Sequence, residues 1–502
     1  MGSHPPSSSP LLDSLPAYLR QTPYARLLLR TPEAKRAPLL LPTEWSKKES
    51  TDTIALTVNN LQANYTGQGI RDSDAVSIRS NRPIPTQCGV YYYEVTIVNK
   101  GYDGFIGIGF SHGSVSTARL PGWEANSWGY HGDDGNCFSG SGSGRPYGPT
   151  FTSDDTIGCC INLFNHKVFF TKNGVRLYTA FHGVKGTLYP TVGMRTRDEK
   201  VLANFGARPF KFDIEQYFLD EKQRLWASIK SIPPPLDITN DLVLSYFIHH
   251  GYRHTARAFA QNVLGAPSHQ PAPATTPAPL TRILVDLNEQ DAEIKVRQRI
   301  AQLVLVGNID GAIYLTQKHY PNVLANNEKV YFQLRCQKFI ELIKRAGGPA
   351  GVDMLEDEGE LDLDSESNGT NGLNGQSHPD GMDLADPRTP AQVLKEALRC
   401  GRRLQLDYGH DTRRQIHQTL VGVLSLLAYA DPAHSPVATY LNESRRGQLA
   451  HTLNEEILVS QNKPRVPPLE VAIAQSQTVL DELLAQGSAP ANLIQIERDL
   501  LA

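Results

Sequence analysis

The 502-residue sequence lacks the features that would direct it to a membrane, a secretory route or a nucleic acid. No apolar run approaches the roughly 20 residues that span a bilayer, and the Ser/Pro-rich residues 1–10 contain no apolar core of a secretory signal. The net charge of −3 provides no basic field for nucleic acid or anionic lipid. We therefore predict neither a membrane nor a nucleic-acid partner.

Cysteine is also scarce, since the chain contains six cysteines and none of them forms a Cys-x-x-Cys pair. A RING ligase domain needs about eight Cys and His ligands that include such pairs, so the spacing excludes one. Unpaired cysteines are typical of a reducing compartment. We expect an intracellular, cytoplasmic protein, and the nucleus stays open as a second location.

No catalytic motif stands in the context that its chemistry requires. Residues 140–148 are rich in Gly and Ser but lack the Gly-Lys-Ser/Thr of a phosphate-binding loop. The pair Asp133 and Asp134 lies in a Gly-rich loop, where nothing marks either as a general acid. His250 and His254 are four residues apart, but no carboxylate or cysteine is arranged around them. We predict no enzyme activity, no metal and no cofactor.

Residues 39–213 carry the signature of a β-sandwich, because short aromatic and β-branched runs are cut by Gly, Pro and Asn. In the run 91–97 the odd positions form an apolar face and Glu94 lies on the other, so we expect one buried face. Asn173-Gly174 between two such runs predicts a two-residue hairpin, because a type I′ turn needs positive φ at both positions.

Several motifs follow one another in a fixed order across this region. They are Gly-Val-Tyr-Tyr-Tyr-Glu-Val (89–95), Phe-Ile-Gly-Ile-Gly-Phe (105–110), Leu-Pro-Gly-Trp (120–123), Phe-Phe-Thr-Lys-Asn-Gly (169–174) and Ala-Asn-Phe-Gly (203–206). Gly107 and Gly109 indicate close backbone approach rather than a nucleotide loop, since no helix follows them. Together the motifs resemble the SPRY domain. The resemblance implies a bent β-sandwich without catalysis, whose loops at one end bind other proteins.

Aromatic and acidic residues are crowded into the Gly-rich part of this region and form the candidate partner site. They are Trp123, Trp128, Tyr130, His131, Asp133, Asp134 and Tyr147. Exposed Tyr and Trp on a rigid scaffold are typical of interaction hot spots, and the two aspartates favour a peptide with a basic or amide-rich segment. Trp123 has an alternative role, which is to fold its own loop onto the sandwich. Tyr130 and Tyr147 are therefore the preferred candidates.

Residues 236–268 contain two short helical patterns that resemble the LisH motif, a helix-pair dimerisation element. The resemblance rests on Leu-x-x-Ser-Tyr-Phe-x-x-x-Gly-Tyr-x-x-Thr-Ala-x-x-Phe, which begins at Leu242. Two such short helices cannot bury an aromatic face alone, so a second copy or a partner chain is required. The predicted dimerisation residues are Leu242, Tyr246, Phe247, Tyr252 and Phe259.

Helical periodicity returns after the LisH motif in two further regions. Gly-Asn-Ile-Asp-Gly-Ala-Ile (307–313) in residues 290–346 resembles the CTLH domain, and Leu-Ala-Tyr-Ala-Asp-Pro (427–432) in residues 389–502 resembles the CRA domain. The resemblance implies an antiparallel helical bundle that binds other subunits. We expect residues 1–38 to be disordered, 214–235 to form a linking helix with a proline stop, 269–289 to form a Pro/Ala linker and the acidic residues 347–388 to form a disordered loop.

We therefore predict a multidomain chain, in which an all-β SPRY sandwich precedes all-α LisH, CTLH and CRA regions. This order resembles the Ran-binding protein nine/ten family and its fungal counterpart, the scaffold subunit of the GID (CTLH) ubiquitin ligase. The resemblance implies a non-catalytic scaffold in a hetero-oligomer that promotes proteasomal degradation. Its SPRY domain would hold a substrate receptor, and its helices would bind sister subunits, including a small LisH-CTLH protein and RING subunits. The alternative is a free-standing signalling adaptor whose SPRY domain binds receptor tails or a small GTPase.

Overall fold

The chain forms two compact units in the computed structural model. The described residues are 10–49, 52–233, 235–265, 291–347, 389–429 and 431–500. The first unit combines Met1–Pro233 with Ala472–Ala502, and the second unit is Pro234–Val471. The second unit is thus an insertion in the sequence of the first. Within the described ranges, no helix is long and apolar enough to cross a membrane.

The described part of the first unit is built around β-strands and that of the second around α-helices. The strands are β1 (Ile54–Thr57), β2 (Gln62–Tyr65), β3 (Val76–Arg79), β4 (Val90–Lys100), β5 (Gly107–His112), β6 (Ser127–His131), β7 (Asn136–Ser139), β8 (Arg145–Pro146), β9 (Thr156–Asn162), β10 (Lys167–Lys172), β11 (Val175–Phe181), β12 (Leu188–Met194) and β13 (Glu199–Asn204). The helices are α1 (Pro10–Asp13), α2 (Pro23–Arg30), α3 (Ile214–Lys230), α4 (Leu236–His249), α5 (Arg253–Gly265), α6 (Asp291–Leu305), α7 (Ile309–His319), α8 (Pro321–Asn326), α9 (Glu328–Ala346), α10 (Pro390–Tyr408), α11 (Arg414–Leu424), α12 (Ser444–Ser460), α13 (Pro468–Ala485) and α14 (Ile496–Leu500).

The strands form a sandwich of two antiparallel sheets, which confirms the predicted fold class. One sheet has seven strands in the order β1-β2-β13-β4-β9-β10-β11, and the other has six in the order β3-β12-β5-β6-β7-β8. The hairpin predicted at Asn173-Gly174 joins β10 to β11, with φ of 51° and 83° at the two positions. Gly109 faces β6, where a Cβ would overlap the carbonyl oxygen of Trp128, as close backbone approach requires.

The central strand β4 is buried on both faces, whereas the sequence pattern predicts one buried face. Tyr91 and Tyr93 point into the sandwich core, as expected. Glu94 on the other face is only 4% exposed, and its Oε1 accepts hydrogen bonds from the Tyr92 hydroxyl at 2.9 Å and the Lys211 backbone N–H at 2.8 Å. The prediction fails because a later segment of the chain covers this face and satisfies the carboxylate.

The covering segment runs from the end of β13 into α3. The Phe210 ring lies 4.9 Å from the Tyr92 ring, and the Tyr217 hydroxyl accepts a hydrogen bond from Asn162 Nδ2 at 2.9 Å. Helix α3 occupies most of the range predicted as a linking helix. Its first turns belong to the sandwich core, since Tyr217 and Phe218 are buried there.

Both ends of the described chain also pack on the sandwich, which corrects two domain predictions. Residues 10–38 are not disordered, because α1 and α2 form there and Tyr24 and Leu28 are fully buried. The helical bundle predicted over 389–502 does not extend to its end, because Ala489 and Leu493 belong to the sandwich core. Apolar positions at both ends cover sandwich surface that the strands leave open, which is favourable burial.

Several ion pairs accompany this docking of the chain ends within the first unit. Arg30 on α2 and Asp481 on α13 pair at 2.6 Å, while Lys222 on α3 and Asp499 on α14 pair at 2.5 Å. The Lys222–Asp499 pair is the better shielded from water, with side-chain exposures of 19% and 9%. Partly buried pairs of this kind fix geometry more effectively than exposed ones.

The second unit contains the LisH helix pair and a larger bundle. Helices α9 and α10 form an antiparallel hairpin, in which the Phe332 and Tyr408 rings lie 4.7 Å apart and Arg335 pairs with Asp407 at 2.5 Å. Phe339 packs against Gly401 further along the hairpin. The predicted linker at 269–289 and the acidic residues 348–388 lie outside the described residues.

Candidate partner-binding surfaces

Of the two preferred residues of the predicted partner site, Tyr130 belongs to the core of the sandwich and Tyr147 packs against that core. Tyr130 on β6 is 0% exposed, and its ring lies 5.2 Å from those of Tyr147, Phe151 and Phe170. Its hydroxyl donates to the carbonyl of Pro149. Burial raises the pKa of both tyrosines. The prediction that Tyr130 is exposed is therefore wrong.

Tyr147 is half-buried and acts as a bridge between sheet and loop. Its hydroxyl donates to the Tyr178 carbonyl at 2.6 Å and accepts the Phe170 backbone N–H at 3.1 Å. With both functions of the hydroxyl engaged in the fold, truncation of Tyr147 would disturb β10 and β11. The main role of Tyr147 is therefore structural. Only the exposed edge of its side chain is available for contact with a partner.

His131 and Trp123 form a small apolar layer on the outer face of the six-stranded sheet. The His131 ring is 2% exposed, stacks on Phe138 at 4.0 Å and donates from Nε2 to the Pro121 carbonyl at 2.8 Å. Burial lowers its pKa to about 4. The Trp123 ring lies 6.0 Å from the His131 ring. The Arg119 guanidinium lies over the Trp123 ring, 4.9 Å from its centre. The alternative in which Trp123 folds its own loop onto the sandwich fits this geometry.

Trp128, Asp133 and Asp134 also retain solvent exposure, although Trp128 lies on the opposite face of the sheet from this layer, in register with Phe110. Trp128 is half-buried, with its ring 5.6 Å from that of His112. Asp134 is exposed and accepts both hydrogen bonds of Asn136 at 2.8 Å. Asp133 is half-buried, and its burial together with the neighbouring Asp134 charge raises its pKa to about 6. With a pKa of about 6, Asp133 is still mostly ionised at neutral pH and adds to the negative charge of this surface.

The LisH helix pair buries small residues and leaves its aromatic residues half-covered. Leu244, Ala256 and Ala260 form its core. The Phe247 and Phe259 rings meet at 5.7 Å across the pair, but both stay half-buried. Leu242 and Tyr246 share this intermediate burial, and Tyr252 is 51% exposed. The structure therefore brings the five predicted dimerisation residues onto a short pair whose aromatic surface remains available.

Three family models match successive parts of the chain. The SPRY domain matches residues 90–208 and LisH matches residues 239–261. The CTLH/CRA C-terminal to LisH motif domain matches residues 293–484. The domain order inferred from the sequence motifs is therefore confirmed.

Relatives extend the similarity over nearly the whole chain. Ran-binding protein 9 of Danio rerio is 33% identical in an alignment of 567 positions. The alignment covers 91% of this chain and 92% of that protein. The chain belongs to the Ran-binding protein 9/10 family. Ran-binding protein 9 of Homo sapiens is 33% identical, covering 91% of this chain and 77% of its own. The Ran-binding protein M homolog of Arabidopsis thaliana is 37% identical over 61% of this chain and 64% of its own. The domains shared across this Ran-binding protein family are those of a protein-interaction scaffold.

Sequence reasoning missed the residue that joins the LisH pair to the CTLH helices of this family member. Arg297 on α6 is 2% exposed and donates to the carbonyls of Ile248 at 3.1 Å and His249 at 2.9 Å, at the end of α4. It also donates to Asn454 Oδ1 at 2.8 Å. A helix end leaves carbonyls without partners, and a buried guanidinium can satisfy several at once. In the sequence, Arg297 looks like one of many surface cations.

The CTLH/CRA region contains a cavity of about 410 Å³ between α9, α11 and α12. Phe332, Ile340 and Leu449 line its apolar part, while Lys329 and Arg445 lie at polar positions of its lining. An apolar floor with a few charged groups is typical of recognition sites. The cavity is thus a second candidate contact surface of the helical unit.

Proposed function

We propose that this Ran-binding protein 9/10 family member is the non-catalytic scaffold subunit of a multisubunit ubiquitin ligase of the GID/CTLH type. The observation that carries the proposal is the incomplete burial of the aromatic residues of the LisH helix pair. Phe247, Phe259 and Tyr252 retain exposed ring surface on and between helices of fourteen and thirteen residues. Short helices gain most of their stability from tertiary packing, so this surface favours a second LisH helix pair.

The two units suit different partners in such an assembly. The rigid sandwich carries the half-buried Trp128 on β6 and the exposed Asp134 in the turn that follows β6, which suits a substrate receptor with a basic or amide-rich segment. The helical unit would bind sister subunits, namely a small LisH-CTLH protein and the RING subunits that supply ligase chemistry. We assign this assembly to the cytoplasm, with the nucleus as a second location, and to proteasomal degradation of its substrates.

The most buried carboxylate with a raised pKa in the described sandwich, that of Glu199, has a structural role, which fits a scaffold without catalysis of its own. Burial raises the pKa of Glu199 to about 7, a value that would suit a general base. Its carboxylate accepts the backbone N–H groups of Arg195 at 2.6 Å and Thr196 at 2.9 Å, and the Thr196 hydroxyl at 2.5 Å. These bonds hold the turn before β13, where Glu199 is fully buried.

The alternative function is a free-standing adaptor whose SPRY domain binds receptor tails or a small GTPase. The names of the relatives, which describe Ran-binding proteins, favour retaining it. Native particle size separates the two functions, measured by size-exclusion chromatography with light scattering on tagged protein from its own cells. A large particle containing further LisH and CTLH chains supports the ligase scaffold, and a simple dimer supports the adaptor.

Ligase activity provides a second test of the proposed scaffold. The purified chain should form no ubiquitin chains with ubiquitin-activating and ubiquitin-conjugating enzymes, whereas the isolated particle should form them. Chain formation by the pure protein would contradict the non-catalytic assignment. An inactive particle that contains RING subunits would contradict the ligase assignment.

A further inference from the structure

Three potential metal ligands converge where the LisH pair meets the CRA helices within the second unit. His250 follows the last residue of α4, His451 lies on α12 and Glu470 lies in the first turn of α13. One ligand atom from each side chain lies within 4.8 Å of the other two. The three residues are far apart in sequence, so local spacing cannot reveal this cluster.

The closest pair already has a separation that a metal requires. His250 Nε2 and Glu470 Oε1 are 3.2 Å apart. Tetrahedral zinc with bonds of about 2.0–2.2 Å holds neighbouring ligand atoms roughly 3.3 Å apart. A zinc ion can therefore replace the proton between these two atoms, with the His250 ring proton moving to Nδ1, while the ligand pair stays almost in place.

The third ligand needs a small movement that its position permits. The His451 ring stacks on the His250 ring at 4.7 Å with an interplanar angle of 13°. His451 is exposed, so its side chain can turn about its own torsions toward the other two ligands without displacing core residues. This side of the cluster is also the path by which an ion enters from solvent.

We propose that His250, His451 and Glu470 form a binding site for a zinc-class divalent cation with a fourth position open to water. Two imidazoles and one carboxylate suit late first-row metals, and they are too nitrogen-rich for Mg²⁺ or Ca²⁺. Such a site ties the end of the LisH helix to α12 and to the start of α13, so the ion would stabilise the LisH pair from outside its small core.

The surroundings hold the His250 imidazole in place and leave a carboxylate beside it to receive a cation. The His250 side chain is only 4% exposed, so its neighbours fix the position of its ring. The Tyr246 ring packs 4.3 Å from the His250 ring and restricts its orientation. The carboxylate of Glu470 supplies the negative charge that offsets the ion.

His254 provides a matched control within the same chain. It lies four residues after His250 and is the second ligand that sequence spacing would suggest, but it is exposed on α5 and does not belong to the cluster. His254→Ala removes one imidazole from the chain as His451→Ala does, without removing a ligand. Glu470→Gln keeps the shape of the side chain and removes its charge.

The experiment titrates the full chain with Zn²⁺, and with Co²⁺ as a spectroscopic probe. The wild type and His254→Ala should bind one ion with equal affinity, show visible Co²⁺ absorption typical of four-coordinate sites and melt at a higher temperature with Zn²⁺ but not with Mg²⁺. His451→Ala and Glu470→Gln should each weaken binding by more than about 100-fold, because loss of a group that only orients a ligand already costs about 10–100-fold.

Circular dichroism and melting without metal establish that each variant is folded. Both test variants change side chains at the solvent edge, since His451 is exposed and the Glu470 side chain is 42% exposed, whereas His250 is too buried for a clean deletion. Equal Zn²⁺ affinity in wild type, His451→Ala and Glu470→Gln would overturn the proposal. A loss in His254→Ala as large as that in His451→Ala would assign the ion to scattered surface histidines and would overturn it as well.

Discussion

The side-chain oxygen of Asn492 accepts a hydrogen bond from the backbone N–H of Tyr24, 468 positions earlier in the chain, at 2.7 Å. The same amide donates from Nδ2 to the carbonyl of Cys88 at 2.9 Å. Asn492 is 1% exposed, so both backbone groups depend on it rather than on water. One amide thus joins both ends of the described chain to the sandwich.

Asn492→Ala should therefore destabilise the sandwich unit by about 2–4 kcal/mol. The substitution leaves the buried Tyr24 N–H and Cys88 carbonyl without hydrogen-bond partners, at a cost of about 1–3 kcal/mol each. Gln495→Ala is the control, since Gln495 donates to the carbonyl of Gln21 at an exposed site and should cost less than about 1 kcal/mol. Denaturant unfolding followed by tryptophan fluorescence measures both. Equal costs would show that Asn492 has no special role.

Truncation of the sandwich aromatics should separate stability from binding. Tyr130→Ala removes a fully buried ring and should cost about 3–5 kcal/mol in unfolding free energy. Trp128→Ala removes a half-buried ring at the surface, and it should stay folded while losing about 2 kcal/mol or more of receptor affinity if Trp128 is a hot spot. Calorimetric titration with the receptor, alongside thermal melting, compares the two variants. Unchanged affinity in folded Trp128→Ala would move the receptor site to another surface.

Association through the LisH pair should depend on its half-exposed rings. Phe247→Ala combined with Phe259→Ala removes the ring contact across the pair and the aromatic surface beside it, at up to about 3–5 kcal/mol for each ring that association buries completely. Tyr252→Ala changes a ring that is 51% exposed, so it tests association with little effect on the fold. Light scattering should show a smaller particle for the double variant. A folded double variant with unchanged mass would contradict the LisH assignment.

The buried His131 should make the sandwich less stable in acid. Its pKa is lowered by burial from 6.5 to about 4, so below pH 6.5 the unfolded chain binds a proton that the folded chain refuses. The resulting stability is fully present above pH 6.5 and is lost as pH falls to about 4, by on the order of 3 kcal/mol.

Unfolding titrations between pH 4 and pH 7 measure this effect, a range set by the lowered and ordinary pKa values of the imidazole. His131→Asn should show a shallower dependence of unfolding free energy on pH than the wild type, and exposed His182→Asn serves as the composition-matched control. Asp133, whose pKa is raised, contributes an opposite slope in every variant and cancels in the comparison. A slope in His131→Asn equal to that of the wild type would refute a buried neutral imidazole.

The acidic residues 348–387 should be dispensable for binding sister subunits. Phe332 lies beside Tyr408 and Phe339 beside Gly401, so α9 and α10 run antiparallel and their joined ends come together. A short Gly/Ser linker should therefore replace the segment, with unchanged co-purification of the small LisH-CTLH subunit.

Gly401→Val is the positive control for this replacement, because a Cβ there would stand 3.1 Å from Phe339 Cε2 and wedge the two helices apart. It should lower the melting temperature of the helical unit and weaken subunit capture. Loss of the subunit in the linker variant, with the melting temperature retained, would assign a binding role to the acidic segment.

Local patterns predicted the strands and the hairpin because local chemistry determines them. Asn173 and Gly174 adopt positive φ cheaply, and the turn follows from those two residues alone. The apolar face of β4 follows in the same way from its alternation. The burial of Glu94 could not be predicted, because it depends on the Lys211 backbone N–H, 117 residues away.

The prediction that Tyr130 and His131 are exposed was wrong for a related reason, because Gly-rich sequence was interpreted as an open loop. Gly129 stands where a Cβ would overlap the Pro121 carbonyl, and a Cβ on Gly132 would lie 2.5 Å from the Phe151 ring. These glycines permit close packing around Tyr130 and His131, so they indicate tight contact instead of exposure. The cluster at His250 was missed because its other two members come from distant helices.

The docking of residues around Asn492 onto the sandwich has a consequence for biosynthesis. A growing chain emerges from the ribosome in sequence order, and domains generally fold as units during synthesis. Every strand of the sandwich has emerged by Asn204, yet the partner of Tyr24 arrives only with Asn492, after the whole inserted helical unit. Until then, the nascent sandwich exposes the apolar surface that residues around Asn492 later cover. A chain truncated shortly before Asn492 would keep this surface exposed, and we expect chaperones to retain it.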